Sequence, residues 1–224
     1  MLARLGDKSL IEHTYINARA SNVFDEVIVA TDDQSIVDAF EHTDAKVLMT
    51  DKNHVSGTDR VGEIANQIEA DIFINIQGDE PFVEKEVFQS LVDLIKNENI
   101  NIGTLIKKVK TVNTLFDYHN VKVVKDDHGK CLYFSRQAIP GQRDLPYKEW
   151  LNEVTYYQHI GIYGFKRDIL LDICQLPPHP IEQVEKLEQL RWLCNGYDIY
   201  ANEVNTNSIG IDTQEDLELA REMI

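Results

Sequence analysis

The chain has 224 residues, 43% of them hydrophobic, enough to bury one substantial core, so a single domain over 1–224 is expected. A formal net charge of −16 opposes nucleic-acid backbones and anionic membranes as partners, while a small anionic ligand stays possible at a locally basic or metal-bearing site. No apolar run reaches the length of a membrane span, no signal peptide is visible, and the dispersed Cys131, Cys174 and Cys194 fit neither a zinc site nor a disulfide framework, which leads us to expect a reducing, cytoplasmic setting.

Residues 9–20 have helical apolar spacing; 26–33 read as a buried strand, 34–43 as a short helix and 45–50 as a second strand. Turn residues at 56–58 open an amphipathic stretch to 70, followed by an apolar strand at 71–76, a helix over about 84–97 and a strand at 102–109. This alternation predicts an α/β fold with a mostly parallel sheet covered on both faces. The rhythm then changes. Two alternating runs around Asp127-His128-Gly129 predict a hairpin over 120–136, and 156–165 reads as another strand. An antiparallel β insertion of about 107–165 on the parallel sheet is therefore expected. Residues 179–197 carry the strongest helical signal, with Pro180 near the start, Gly196 near the end and apolar residues at 181, 184, 187 and 190. A strand at 198–204 and a helix at 210–223, with Thr213 and Asp216 spaced as a capping box, complete the pattern.

Open α/β sheets bind ligands beyond the carboxyl ends of their strands. The stretch FINIQGDEPFV, residues 73–83, runs from a strand into such an end. Gly78 permits a sharp turn or a close approach, and Asp79 offers a hard oxygen of the kind Mg2+ takes. Asp212 follows an apolar stretch, precedes a helix and is the best second carboxylate. Both acids also suit ordinary helix-start roles. In HVSGTDR, 54–60, Ser56, Gly57 and Thr58 bring hydroxyls and open N–H groups to a helix start, which favours anions or polar ring edges, and Arg60 adds a charged fork; a plain N-cap is the simpler reading. In YFSRQAIP, 133–140, Arg136 is a candidate carboxylate clamp, while His159 and Tyr163 of HIGIYGF can bind hydroxyls or simply pack. Glu188 and Gln189 fall on what reads as the solvated face of the long helix, and Lys107, Lys108 and Lys110 read as a solvated charge run.

HxSGTxR, NIQGDEPF, VKVV with YFSRxxIP, HIGIYGF, EKLEQLRWL and GIDTxEDLE occur in this order over essentially the whole chain. In this the sequence resembles the 3-deoxy-manno-octulosonate (KDO) cytidylyltransferases. The resemblance implies a Rossmann-like sheet of the nucleotide-diphospho-sugar transferase type, and a reaction in which CTP and KDO give CMP-KDO and pyrophosphate for lipopolysaccharide synthesis. It implies Asp79 and Asp212 as catalytic residues and ligands of Mg2+, with Ser56, Gly57, Arg60, Gln77 and Gly78 at the nucleotide. It further implies Arg136 on the sugar carboxylate and His159, Tyr163, Glu188 and Gln189 on the sugar hydroxyls. A cytoplasmic homodimer is implied too, with the segment 107–165 embedded as a substrate and dimerisation element.

One departure accompanies the resemblance. The family opens with a strand and a basic loop before its first helix, whereas this chain starts MLARLGDKSLIEH. The expectation is a truncated chain with weak or absent CTP turnover, whose neighbouring strands keep unpaired backbone groups or close into a rearranged sheet. Two alternatives stay open: a cytidylyltransferase for another acidic sugar such as sialic acid, and a non-catalytic KDO-binding protein that lacks the triphosphate loop.

Overall fold

The computed structural model describes residues 1–206, 208, 210–211 and 213–221. Strands β1 (Arg4–Leu5) and β2 (Lys8–Ser9) form a tight hairpin around Gly6, whose φ of 65° suits glycine. Helix α1 (Leu10–Ala20) starts where the Glu12 carboxylate accepts the Ser9 N–H at 2.7 Å. Next come β3 (Ile28–Thr31), α2 (Gln34–Ala39) and β4 (Lys46–Met49); among the described residues β3 and β4 pair in parallel with each other alone. The alternation continues through α3 (Gly57–Gln67), β5 (Ile72–Asn75), α4 (Lys85–Ile95) and β6 (Ile102–Lys108).

The inserted segment holds α5 (Val112–Phe116), the hairpin β7 (Lys122–Lys125) and β8 (Cys131–Ser135), and α6 (Trp150–Glu153). The hairpin turns where the sequence predicts. Gly129 takes φ 86°, and the Asp126 carboxylate accepts the N–H groups of His128 at 2.8 Å and Lys130 at 2.9 Å. Val109, Leu115, Trp150 and Tyr156 give the segment a small apolar cluster of its own. The chain closes with β9 (Tyr157–Lys166), α7 (Arg167–Ile173), α8 (Pro180–Glu185), α9 (Gln189–Cys194), β10 (Ile199–Glu203) and α10 (Gln214–Arg221).

Strand β9 organises the six-stranded sheet. β6 lies along one side of it; on the other side β5 pairs with its C-terminal part and β7 with its start. β8 extends the sheet beyond β7, and β10 beyond β6. β5, β6, β7 and β10 run one way and β8 and β9 the other, which is the α/β class with an antiparallel insertion. Both faces are covered, as the apolar runs require. Ile102, Ile106, Phe165, Leu190 and Trp192 share one buried cluster, and Leu105, Ile160 and Ile162 pack with Val87, Phe88 and Leu91 of α4 in another. Each such side chain stabilises the fold by roughly 1.5–3 kcal/mol. Among the described residues no helix is long and apolar enough to cross a membrane.

Two expectations are corrected. Residues 179–197 are not one helix: Lys186 adopts φ 56° and ψ 47°, which ends α8 before α9 begins. Ile181 and Val184 are exposed while Leu187 and Leu190 are buried, so the apolar stripe is split between two elements with different surroundings. Lys107 is half-buried, not a freely solvated member of its charge run. Its ammonium donates to the Ser208 carbonyl at 3.0 Å, and burial lowers its pKa.

Candidate active site

A cavity of about 650 Å3 is lined from the start of α3, the loop after β5, the end of β8, the middle of β9 and both helices around Lys186. It gathers Ser56, Gly57, Gln77, Arg136, His159, Tyr163, Glu188 and Gln189.

At one end Ser56 caps α3, its hydroxyl oxygen accepting the Asp59 N–H at 3.2 Å, so the simple capping role is present as well. Gly57 leaves room that the Gln77 amide occupies; a Cβ there would stand 3.1 Å from Gln77 Nε2. Gln77 leans on Asn75, whose Nδ2 donates to Thr58 Oγ1 at 3.3 Å, and the Thr58 hydroxyl donates to Glu188 Oε1 at 2.8 Å. This row of side chains links Gln77 to Glu188. Glu188 is no solvated helix residue: burial raises its pKa, against hydroxyl hydrogen bonds from Thr58 and Ser56 that lower it.

The other end is shaped by an irregularity in β9. Its register against β6 shifts between Thr104 and Leu105, whose partners are Tyr163 and Ile160, so Gly161 and Ile162 bulge. A bulge re-aims side chains, here His159 and Tyr163. The Thr104 hydroxyl holds the bulge, donating to the Ile162 carbonyl at 2.9 Å and lying 2.9 Å from His159 Nε2. Burial brings the His159 pKa down to about 3, so its ring is neutral. Tyr163 and Gln189 are buried, yet the Tyr163 hydroxyl and Gln189 Nε2 have no hydrogen-bond partner among the described residues. Buried polar groups are nearly always paired, so two unpaired ones in one cavity call for a polar ligand.

Arg136 follows β8. Its guanidinium donates to the carbonyls of Glu185 at 2.8 Å, Tyr118 at 3.2 Å and Lys186 at 3.4 Å. Two of these carbonyls sit at the break between α8 and α9, which therefore builds part of the site. Among the described residues Arg136 forms no ion pair, so its charge is oriented but not neutralised. Such a planar fork matches a carboxylate.

The remaining predicted residues lie elsewhere. Arg60 pairs with Asp32 at 3.0 Å and donates to Thr50 Oγ1 at 2.7 Å, outside the cavity lining. Gly78 packs against the chain start and α1: a Cβ would meet Met1 Sδ at 2.6 Å and Ile11 Cδ1 at 2.8 Å. Asp79 is also outside the lining, and its carbonyl accepts the Ile211 N–H at 2.9 Å. Asp212 lies outside the described residues. Sequence reasoning missed Asn75 and the buried Arg191, which forks onto Glu182 at 2.6 and 3.0 Å in the cavity wall. A polar Asn75 inside an apolar strand was the available signal; an arginine within a helical pattern carries none.

The chain matches a family model described as cytidylyltransferase over residues 1–201. It is 43% identical to a 3-deoxy-manno-octulosonate cytidylyltransferase of Thermodesulfovibrio yellowstonii, over 100% of this chain and 91% of that protein. Identity to a protein of the same name from Solibacter usitatus is 40%, over 97% of this chain and 85% of that one. A solved structure of CMP:2-keto-3-deoxy-manno-octonic acid synthetase complexed with CTP superposes with a TM-score of 0.90 at 35% identity, covering 99% of this chain and 90% of that chain. Fold and cavity together define a nucleotidyltransferase of the α/β class. The chain belongs to the 3-deoxy-manno-octulosonate cytidylyltransferase family.

Proposed function

We propose that this chain joins CTP to KDO, giving CMP-KDO and pyrophosphate for lipopolysaccharide synthesis. The sugar's anomeric oxygen bonds to the α-phosphorus, the bond from that phosphorus to the β-phosphate oxygen breaks, and the hydroxyl proton is released. The carrying observation is a single cavity with chemically different ends. Arg136, oriented and without a counter-ion among the described residues, suits the carboxylate of an acidic sugar. The unpaired Tyr163 hydroxyl and Gln189 amide, with Glu188 and the neutral His159 ring in the same cavity, suit its hydroxyls. Ser56, Gly57 and the Gln77 amide offer the polar edge that a pyrimidine and its ribose need. Holding both substrates in one cavity is this chain's own contribution to rate, because it replaces a two-body encounter with an oriented one.

Mg2+ fits the hard carboxylate oxygens of Asp79 and Asp212, and the main-chain bond from Ile211 to Asp79 supports pairing those two segments. When bound, the ion neutralises charge on the phosphates. Among the described residues no group of three or more His, Cys, Asp and Glu side chains is placed to hold a metal, and Mg2+ usually takes only one or two carboxylates beside substrate phosphates. The same reading includes a cytoplasmic homodimer; the free thiols and the exposed Phe116, Tyr118 and Tyr147 of the inserted segment support it.

Pyrophosphate release with CTP and Mg2+, in the presence of either KDO or sialic acid, tests the reading. Release that requires KDO is expected. A preference for sialic acid refutes it, and calorimetric KDO binding without CTP binding would identify a non-catalytic KDO-binding protein.

A further inference from the structure

Lys122 is an anomaly of the core. It lies on β7 with 0% of its surface exposed, and among the described residues it forms no ion pair. Its ammonium donates instead to three main-chain carbonyls, of Asn120 at 2.5 Å, Arg136 at 2.6 Å and Asp117 at 2.7 Å. Burying a charge whose hydrogen bonds all go to carbonyl dipoles is unfavourable, and a hydrophobic side chain would fill the same volume without that cost.

The cavity supplies a reason. Arg136 is gripped through its main chain from both sides: its N–H donates to the Glu185 carboxylate at 3.0 Å, and its carbonyl accepts from Lys122. The Glu185 carboxylate is steadied by the Ser135 hydroxyl at 2.6 Å. Asn120, a second carbonyl on the same ammonium, also accepts the Gln158 amide at 2.6 Å through its side chain, next to His159 on β9. One ammonium thus ties together the end of β8, the approach to β7 and the start of β9.

We propose that Lys122 is a positioning residue for acidic-sugar recognition: by drawing the carbonyls of Asp117, Asn120 and Arg136 onto one ammonium, it holds the Arg136 fork toward the sugar carboxylate. This rests on reading Arg136 as the carboxylate clamp. An ammonium has three N–H donors for three carbonyls; a neutral amine has two, and a lone pair that repels the third. The device therefore works only while protonated. Burial lowers the Lys122 pKa to about 8; Asp117 and Glu185 oppose that fall and Arg136 adds to it. His159 is already neutral and does not titrate in this range. The charge is lost as pH rises through that value, so sugar affinity falls with rising pH.

Steady-state kinetics of Lys122→Met and Arg136→Met beside the unmodified chain provide the test. Lys122→Met is expected to raise the KM for the sugar about tenfold or more while leaving the KM for CTP unchanged. In the unmodified chain the sugar KM should climb between about pH 7 and about pH 9.5, and in Lys122→Met that climb should be absent. An unchanged sugar KM in Lys122→Met, or equal losses toward both substrates, overturns the proposal. Should Lys122→Met fail to fold, the unmodified chain decides: a sugar KM that stays flat over that pH range overturns it. If Arg136→Met leaves the sugar KM unchanged, the clamp reading falls and this proposal with it. A raised KM in Arg136→Met beside an unchanged one in Lys122→Met overturns the positioning role alone.

Discussion

Tyr163→Phe removes one oxygen from the cavity wall. The ring is 3% exposed and packs among His159, Phe165 and Trp192 at centroid distances of 5.2, 5.9 and 5.1 Å, contacts that phenylalanine keeps. The hydroxyl has no partner among the described residues. A buried, unpaired polar group costs about 1–3 kcal/mol, so its loss should leave Tm unchanged or raise it, by about 2–4 °C per kcal/mol in a chain of this size. Bound sugar reverses the sign. Losing one neutral hydrogen bond weakens binding by about 0.5–1.5 kcal/mol, a roughly two- to twelvefold rise in the sugar KM, with the KM for CTP unchanged. Thermal unfolding and kinetics on the same preparation should therefore move in opposite senses. A lowered Tm with an unchanged sugar KM would refute the reasoning, because the hydroxyl would then belong to the fold and not to the site.

Gly57→Ala places a Cβ 3.1 Å from Gln77 Nε2 and 3.3 Å from its Oε1, so the amide must shift; the KM for CTP should rise about threefold or more and the sugar KM should not, and the reverse pattern would put Gln77 at the wrong end of the cavity. Burial raises the Glu188 pKa above 4.5, so the folded chain holds that proton more tightly than the unfolded one and loses stability as pH climbs past the unfolded value. Glu188→Gln escapes this loss, so its Tm relative to the unmodified chain should improve as pH rises past the unfolded carboxylate value; a pH-independent difference would contradict the burial argument. His159, with its pKa held to about 3, should show ring NMR shifts that are flat over the ordinary histidine range, and an inflection near 6.5 would show the ring to be solvated.

What could be read directly from the chain was local. Period and punctuation located the strands, and Gly129 marked its hairpin because only a left-handed turn residue closes that ladder. Thr213 and Asp216 form the capping box their spacing announced, with the Thr213 N–H donating to Asp216 at 2.9 Å. Ser56, Gly57, Gln77, Arg136, His159 and Tyr163 were visible as motif residues, and they meet because strand ends and helix starts meet. What stayed hidden depended on distant partners. Arg60 is taken by Asp32 from another loop. Lys122 alternates with apolar residues in VKVV as a solvent-facing lysine would, and only the fold around 117, 120 and 136 turns it inward. The bulge in β9 is fixed by Thr104, which no spacing within residues 156–165 reveals.

The turn at Lys186 bears on how selectivity can change over time. The carbonyls of Glu185 and Lys186 reach the Arg136 guanidinium from either side of a left-handed residue, so a backbone torsion sets the aim of the clamp. Glycine or asparagine can hold that torsion with less strain than lysine, and a β-branched residue cannot. The identity of residue 186 can thus drift among tolerant residues with little effect on the substrate. A single intolerant replacement, touching no ligand, can re-tune which acidic sugar is accepted.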